Sequence, residues 1–184
     1  MKKIYEVYPS KKIIGVCFGH QIVARALGGK VEPNEKGWEM AVRQVNLVDS
    51  AKKVFDLKKP VMVTITPLSS WPKRLQQMHR DIVTVAPPGA AVIGSNEICA
   101  CQAMVISGRM LSVQGTYQET FGSWLLGHPE FNQTIVEFLL QNRHFRGLFN
   151  DEVFEEAFPK AAMEHDGVKV GEGIMNFIMG IDYT

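Results

Sequence analysis

Residues 12–29 set a strand, a turn and a helix end to end with no linker between them. Lys12-Ile13-Ile14-Gly15-Val16-Cys17 is a short apolar run rich in branched residues, which reads as a strand buried on both faces inside a parallel sheet. It breaks at Phe18-Gly19-His20. Gln21-Ile22-Val23-Ala24-Arg25-Ala26-Leu27 then takes up helical spacing, and Gly28-Gly29 is a good C-terminal stop. A βα unit this tight, in a chain that goes on mixing strands with helices, points to a three-layer α/β fold.

The later segments fit that reading. Residues 41–48 alternate apolar and polar and predict a strand, and 50–57 predict a short helix capped by Ser50. Residues 61–65 read as a strand, and Pro67 to Pro72 interrupts whatever follows. Residues 91–94 and 98–106 read as strands, 107–109 as a turn into 110–114, and 132–142 as a helix, with further helical pieces toward Ile181. One domain spanning residues 1–184 is expected, because that length suffices to bury most of the chain's apolar surface.

Composition narrows the function classes. With 46% hydrophobic and 21% charged residues and a net charge of +1, the chain is neither disordered nor a general nucleic-acid binder, which would need excess Lys and Arg. The charge is unevenly spread: residues 1–60 carry 12 Lys+Arg against 6 Asp+Glu, and residues 151–184 carry 2 against 8. These read as two differently charged solvated faces. No run has the length of a signal-peptide core or a membrane span, and the three cysteines (Cys17, Cys99, Cys101) suit a reducing compartment. A cytosolic protein with no membrane partner is expected.

Cys17 sits where strand gives way to helix, flanked by Gly15 and Gly19. In such an elbow a thiol is presented at the sheet edge. The helix N-terminus favours its thiolate, and the Phe18 N–H is available to an oxyanion. A base is then needed. His128-Pro129-Glu130 places an imidazole and a carboxylate two positions apart, so that Glu130 could fix the His128 tautomer while the other ring nitrogen faces the sulfur. His20 reads as structural or as part of the pocket, and His144 and His165 as surface residues. Cys99 and Cys101 share the spacing of one strand face, without the acidic or histidine partners a metal site requires.

Gly15-Val16-Cys17-Phe18-Gly19-His20-Gln21 and Gly127-His128-Pro129-Glu130-Phe131 resemble the two signature motifs of class I glutamine amidotransferases, and Gln76-Gln77-Met78-His79-Arg80-Asp81 is also similar to that family. The likeness covers roughly residues 12–145 and is strongest to the stand-alone branch akin to the amidotransferase half of GMP synthase. It implies a flavodoxin-like fold and a Cys17-His128-Glu130 triad. Cys17 would attack the γ-carboxamide of glutamine, while His128 would protonate the departing ammonia and then activate water. Phe18, Gln21 and the His79-Arg80-Asp81 loop would line the substrate pocket. No cofactor or metal is implied. The ammonia acceptor, or a synthetase protein, would be another chain.

Two departures from the family pattern shape the expectations. Family members carry earlier strands and a Gly-rich loop before the nucleophile strand, whereas 11 residues precede Lys12 here. An N-terminally truncated domain is therefore expected, with its sheet incomplete on that side. Val113-Gln114-Gly115 is also separated from His128 by residues 116–127, which read as an insertion. Two alternatives accompany the amidotransferase reading: a γ-glutamyl peptidase acting on glutathione-like compounds, and an inactive remnant or binding module.

Overall fold

The computed structural model describes residues 1–48, 51, 73–106, 108–115 and 132–180. The strand expected at 61–65, nearly all of the helix expected at 50–57, and both His128 and Glu130 lie outside the described residues.

The chain begins with a short helix α1 (Lys2–Val7), followed by β1 (Ile13–Val16) and α2 (Phe18–Ala26). Strands β2 (Lys30–Pro33), β3 (Glu39–Leu47), β4 (Lys73–His79), β5 (Asp81–Val85), β6 (Ala91–Ser95), β7 (Ala103–Ile106) and β8 (Met110–Val113) come next. Helices α3 (Gln133–Phe145), α4 (Asp151–Ala157) and α5 (Gly167–Met179) complete it, with a 3₁₀ turn at Phe158–Ala162. Six strands form one sheet in the order β1-β8-β7-β6-β3-β4, and β2 pairs with β5 separately. β1 and β8 run parallel, and the other neighbours are antiparallel.

Strand alternation divides the core into layers. Ile14 and Val16 of β1 join Leu111 and Val113 of β8 and Ala103 of β7 against Val170, Ile174 and Phe177 of α5. Ile13, Met104 and Met110 point the other way, onto Val23 and Ala24 of α2. Helix, sheet and helix thus make the three-layer α/β arrangement expected. A third cluster packs Met40, Ala41 and Met78 against Val136 and Leu140 of α3 and against Ala157 of α4. Ala41 has a left-handed φ of 57° inside β3, which breaks the alternation and lets Met40 and Ala41 enter the same cluster.

Several boundaries differ from the sequence reading, each for a local reason. Phe18-Gly19-His20 is the first turn of α2 rather than a separate turn, because the reversal is confined to Cys17. The strand expected over 98–106 is strand only from Ala103: the Asn96 side-chain oxygen accepts the N–H groups of Ile98 and Cys99 and curls the chain first. Residues 73–79, which lack an apolar period, form β4, and the branched run 81–85 forms β5. Gln76, Gln77 and His79 are buried in β4 despite being polar. His79-Arg80-Asp81 is therefore a break between two strands, not a loop. His144 and His165 are both half-buried. The former stacks on Phe154 with ring centroids 4.5 Å apart, and the latter accepts the Gly167 N–H.

Candidate active site

Cys17 ends β1 and caps α2 with φ 51° and ψ −110°, a conformation that L-residues rarely adopt outside functional turns. The surroundings hold it there. Its N–H bonds to Val113 O at 2.9 Å, extending the β1–β8 ladder, while its carbonyl accepts from His20 N at 3.0 Å and Gln21 N at 3.3 Å, opening the helix. Gly15 is required by close approach, since a Cβ there would lie 2.7 Å from Gly19 O. At Gly19 a Cβ would meet nothing within 4 Å. The two flanking glycines are thus unequal: one makes room, and the other supplies the backbone that fills it.

The sulfur's environment corrects one expectation. Burial pushes the Cys17 thiol above its ordinary pKa, and the Phe18 N–H and the positive charge of Arg143 pull it only part of the way back. The helix N-terminus helps the thiolate, as expected, but desolvation outweighs it. At neutral pH the resting group is the thiol, and an attack through sulfur requires a base. Cys99 and Cys101, pushed up by burial to about 12 and about 11, are inert by comparison.

Cys17 opens into a cavity of about 660 Å³. Phe18, Gln21, His79, Arg80 and Asp81, all named from the sequence, line the same cavity. Gln21 ties the two parts of the wall together, because its Nε2 donates to Asp81 O at 2.9 Å and so fixes α2 against the β4–β5 break. Asn34 N bonds Arg80 O at 2.9 Å and steadies that break from the other side. Phe18 is exposed at the mouth, whereas His79 is buried in the wall. His20, fully buried behind the elbow, pairs with Ser112 Oγ at 2.9 Å and Cys101 O at 3.1 Å. It is a structural pin, not a base.

The sequence reading missed the wall contributed by α3. Leu139, Asn142 and Arg143 of this helix line the cavity, with Arg146 and Leu148 beyond it and Trp38 opposite. Trp38 is held by its Nε1–H bond to Leu148 O at 3.0 Å and by edge contact with Phe149. Nothing in the spacing of Leu139, Asn142 and Arg143 marked them, since they sit on the helix following the His-Pro-Glu segment and reach the Cys17 cavity only through the fold. Among the described residues, no group of three or more His, Cys, Asp or Glu could hold a metal ion.

The chain is thus a three-layer α/β protein of the class that carries a strained cysteine elbow at the C-terminal end of a sheet strand, here opening on a cavity with both apolar and polar lining residues. The pattern of the family described as glutamine amidotransferase class-I matches residues 1–115, and the chain belongs to that family. A glutamine amidotransferase-like protein of Schizosaccharomyces pombe is 30% identical over 179 residues, covering 97% of this chain and 62% of the relative. Gamma-glutamyl peptidase 2 of Arabidopsis thaliana is 31% identical over 147 residues, covering 80% of this chain and 51% of the relative. The chain thus spans less than two thirds of these curated relatives. A glutamine amidotransferase structure from Thermotoga maritima superimposes with a TM-score of 0.59 at 18% identity, over 96% of this chain and 64% of that one, a likeness of fold.

Proposed function

We propose that this chain cleaves the γ-amide of a γ-glutamyl substrate through a thioester on Cys17, with glutamine as the amide and ammonia as the leaving group. The observation that carries the reading is the Cys17 elbow opening into the cavity walled by Phe18, Gln21, His79, Arg80 and Asp81. In the reaction, Sγ adds to the γ-carbonyl as its proton passes to His128. The Phe18 N–H stabilises the oxyanion. Collapse expels the amide nitrogen, which takes the proton from His128 and leaves as ammonia. Water, deprotonated by His128, then releases glutamate and regenerates the thiol. Glu130 orients His128 throughout. The raised thiol pKa is the physical reason why such a base is needed. Ammonia would pass to an acceptor bound by another chain, such as a synthetase.

A second reading, a γ-glutamyl peptidase, is favoured by one feature of the cavity. Arg80, Arg143 and Arg146 all line it, and guanidinium groups match the carboxylate that a peptide leaving group carries and ammonia does not. Intact-mass labelling with an electrophilic glutamine analogue tests both readings. A single adduct is expected, absent in Cys17→Ser, and its absence from folded wild-type protein would sink both. Ammonia release from glutamine, measured beside cleavage of a γ-glutamyl dipeptide, separates them.

A further inference from the structure

Glu39 opens β3 directly opposite His79, the last residue of β4. Its side chain is fully buried, and a buried carboxylate is costly unless donors surround it. Two do. Asn96 Nδ2 donates to Oε1 at 2.5 Å, and Gln102 Nε2 donates to Oε2 at 2.6 Å. Both donors are themselves pinned: Asn96 Oδ1 accepts the N–H groups of Ile98 and Cys99, and Gln102 Oε1 accepts from Gln77 Nε2 at 3.3 Å. The carboxylate is therefore clamped in one orientation.

That orientation sets Oε2 3.2 Å from His79 Nε2, a close approach that is not aligned as a hydrogen bond. An acceptor at this distance favours hydrogen on Nε2 whatever the alignment, because the carboxylate's field repels a lone pair there. His79 Nδ1 is then left as an acceptor, and among the described residues no donor reaches it, although it is buried. Buried polar atoms are normally satisfied, so a missing donor directs attention to the cavity that His79 lines together with Cys17.

We propose that Glu39 is a positioning residue: its clamped carboxylate holds the His79 ring as the Nε2–H tautomer, keeping Nδ1 as the acceptor for an N–H of the γ-glutamyl substrate. The proposal rests on the γ-glutamyl reading of the cavity for its ligand, and on the clamp alone for the tautomer.

The two parts are tested separately on the full chain. Long-range nitrogen–proton NMR of histidine-labelled protein, with His79→Gln to assign the resonance, is expected to show hydrogen on Nε2 in the wild type. In Glu39→Gln the ring is expected to become a tautomer mixture. KM for L-glutamine or a γ-glutamyl dipeptide should rise about tenfold, with Cys17 alkylation by iodoacetamide unchanged. Glu39→Asp should recover part of the loss. Hydrogen on Nδ1 in the wild-type protein overturns the clamp without recourse to any variant. So does turnover of either substrate with a KM and a tautomer indifferent to Glu39→Gln, and that result leaves the γ-glutamyl reading standing. A protein that turns over neither substrate, while its His79 tautomer follows Glu39, supports the clamp and overturns the γ-glutamyl reading.

Discussion

Two opposing fields meet at the Cys17 sulfur. The first turn of α2 and the Arg143 guanidinium favour the thiolate, while burial favours the thiol and prevails. Arg143 is itself drawn down by burial and sustained by Cys17, so the two groups are electrostatic partners across the cavity. The sign of a substitution follows. Arg143→Gln removes a charge that lowers the thiol pKa, so the pKa rises further and the thiolate fraction at neutral pH falls. Iodoacetamide alkylation of Cys17 should slow several-fold at pH 7, and the midpoint of its rate–pH profile should move to higher pH. An unchanged midpoint would show that the two charges do not couple. Cys17 was legible because glycines flank it at a strand–helix junction. Arg143 was not, because a basic residue in the last turn of a helix is ordinary helix chemistry until the fold brings it to the wall of the Cys17 cavity.

Among the elements, β1 and α2 matter most, and their junction depends on one missing methyl. A Cβ at residue 15 would lie 2.7 Å from Gly19 O, a backbone atom that moves only if the first turn of α2 moves with it. Gly15→Ala should destabilise the protein by roughly 1–3 kcal/mol, in line with overpacking elsewhere, and should perturb Cys17 alkylation. Gly19→Ala, facing open space, should disturb stability far less. Urea denaturation of the two variants side by side checks the difference. The junction itself was readable, since a short branched apolar run followed by helical spacing has few alternatives. β4 was not readable. Gln76, Gln77 and His79 are polar residues in a buried strand, and no hydrophobic period can announce a strand whose interior positions are filled by amides and an imidazole.

For the molecule as a whole, the three clusters share strands. β4 gives Leu75 to one and Met78 to another, and β7 gives Ala103 and Met104 to opposite faces, so the layers are expected to unfold together. His20 ties the layers at one point, bonding from α2 to Ser112 of β8 and to Cys101 O. Burial is the main reason that its pKa falls from 6.5 to about 4. The nearby His79 adds to the fall, while Cys101 O and Ser112 oppose it. The unfolded chain therefore takes up a proton below pH 6.5 that the folded protein refuses until about pH 4. The stability this residue contributes is complete above pH 6.5 and is lost as pH falls toward 4, by roughly 2–3 kcal/mol. The urea midpoint should drop between pH 7 and pH 4.5, while the His20 ring signal shows no protonation above pH 5. A His20 signal titrating near pH 6.5 would refute the assignment.

The amino-acid sequence alone determined the elbow, the layered α/β class and the family resemblance, because each is written in short-range chemistry: glycine spacing, branched apolar runs and motif residues within a few positions of one another. The tertiary structure decided what surrounds the sulfur. Arg143 comes to Cys17 from 126 positions away, and Asn96 and Gln102 converge from separate segments on Glu39, which in turn faces His79 across the β3–β4 pair. These groups act through burial and through distances of a few ångströms. Neither quantity exists along a chain until strands from opposite ends of the sequence have been laid side by side.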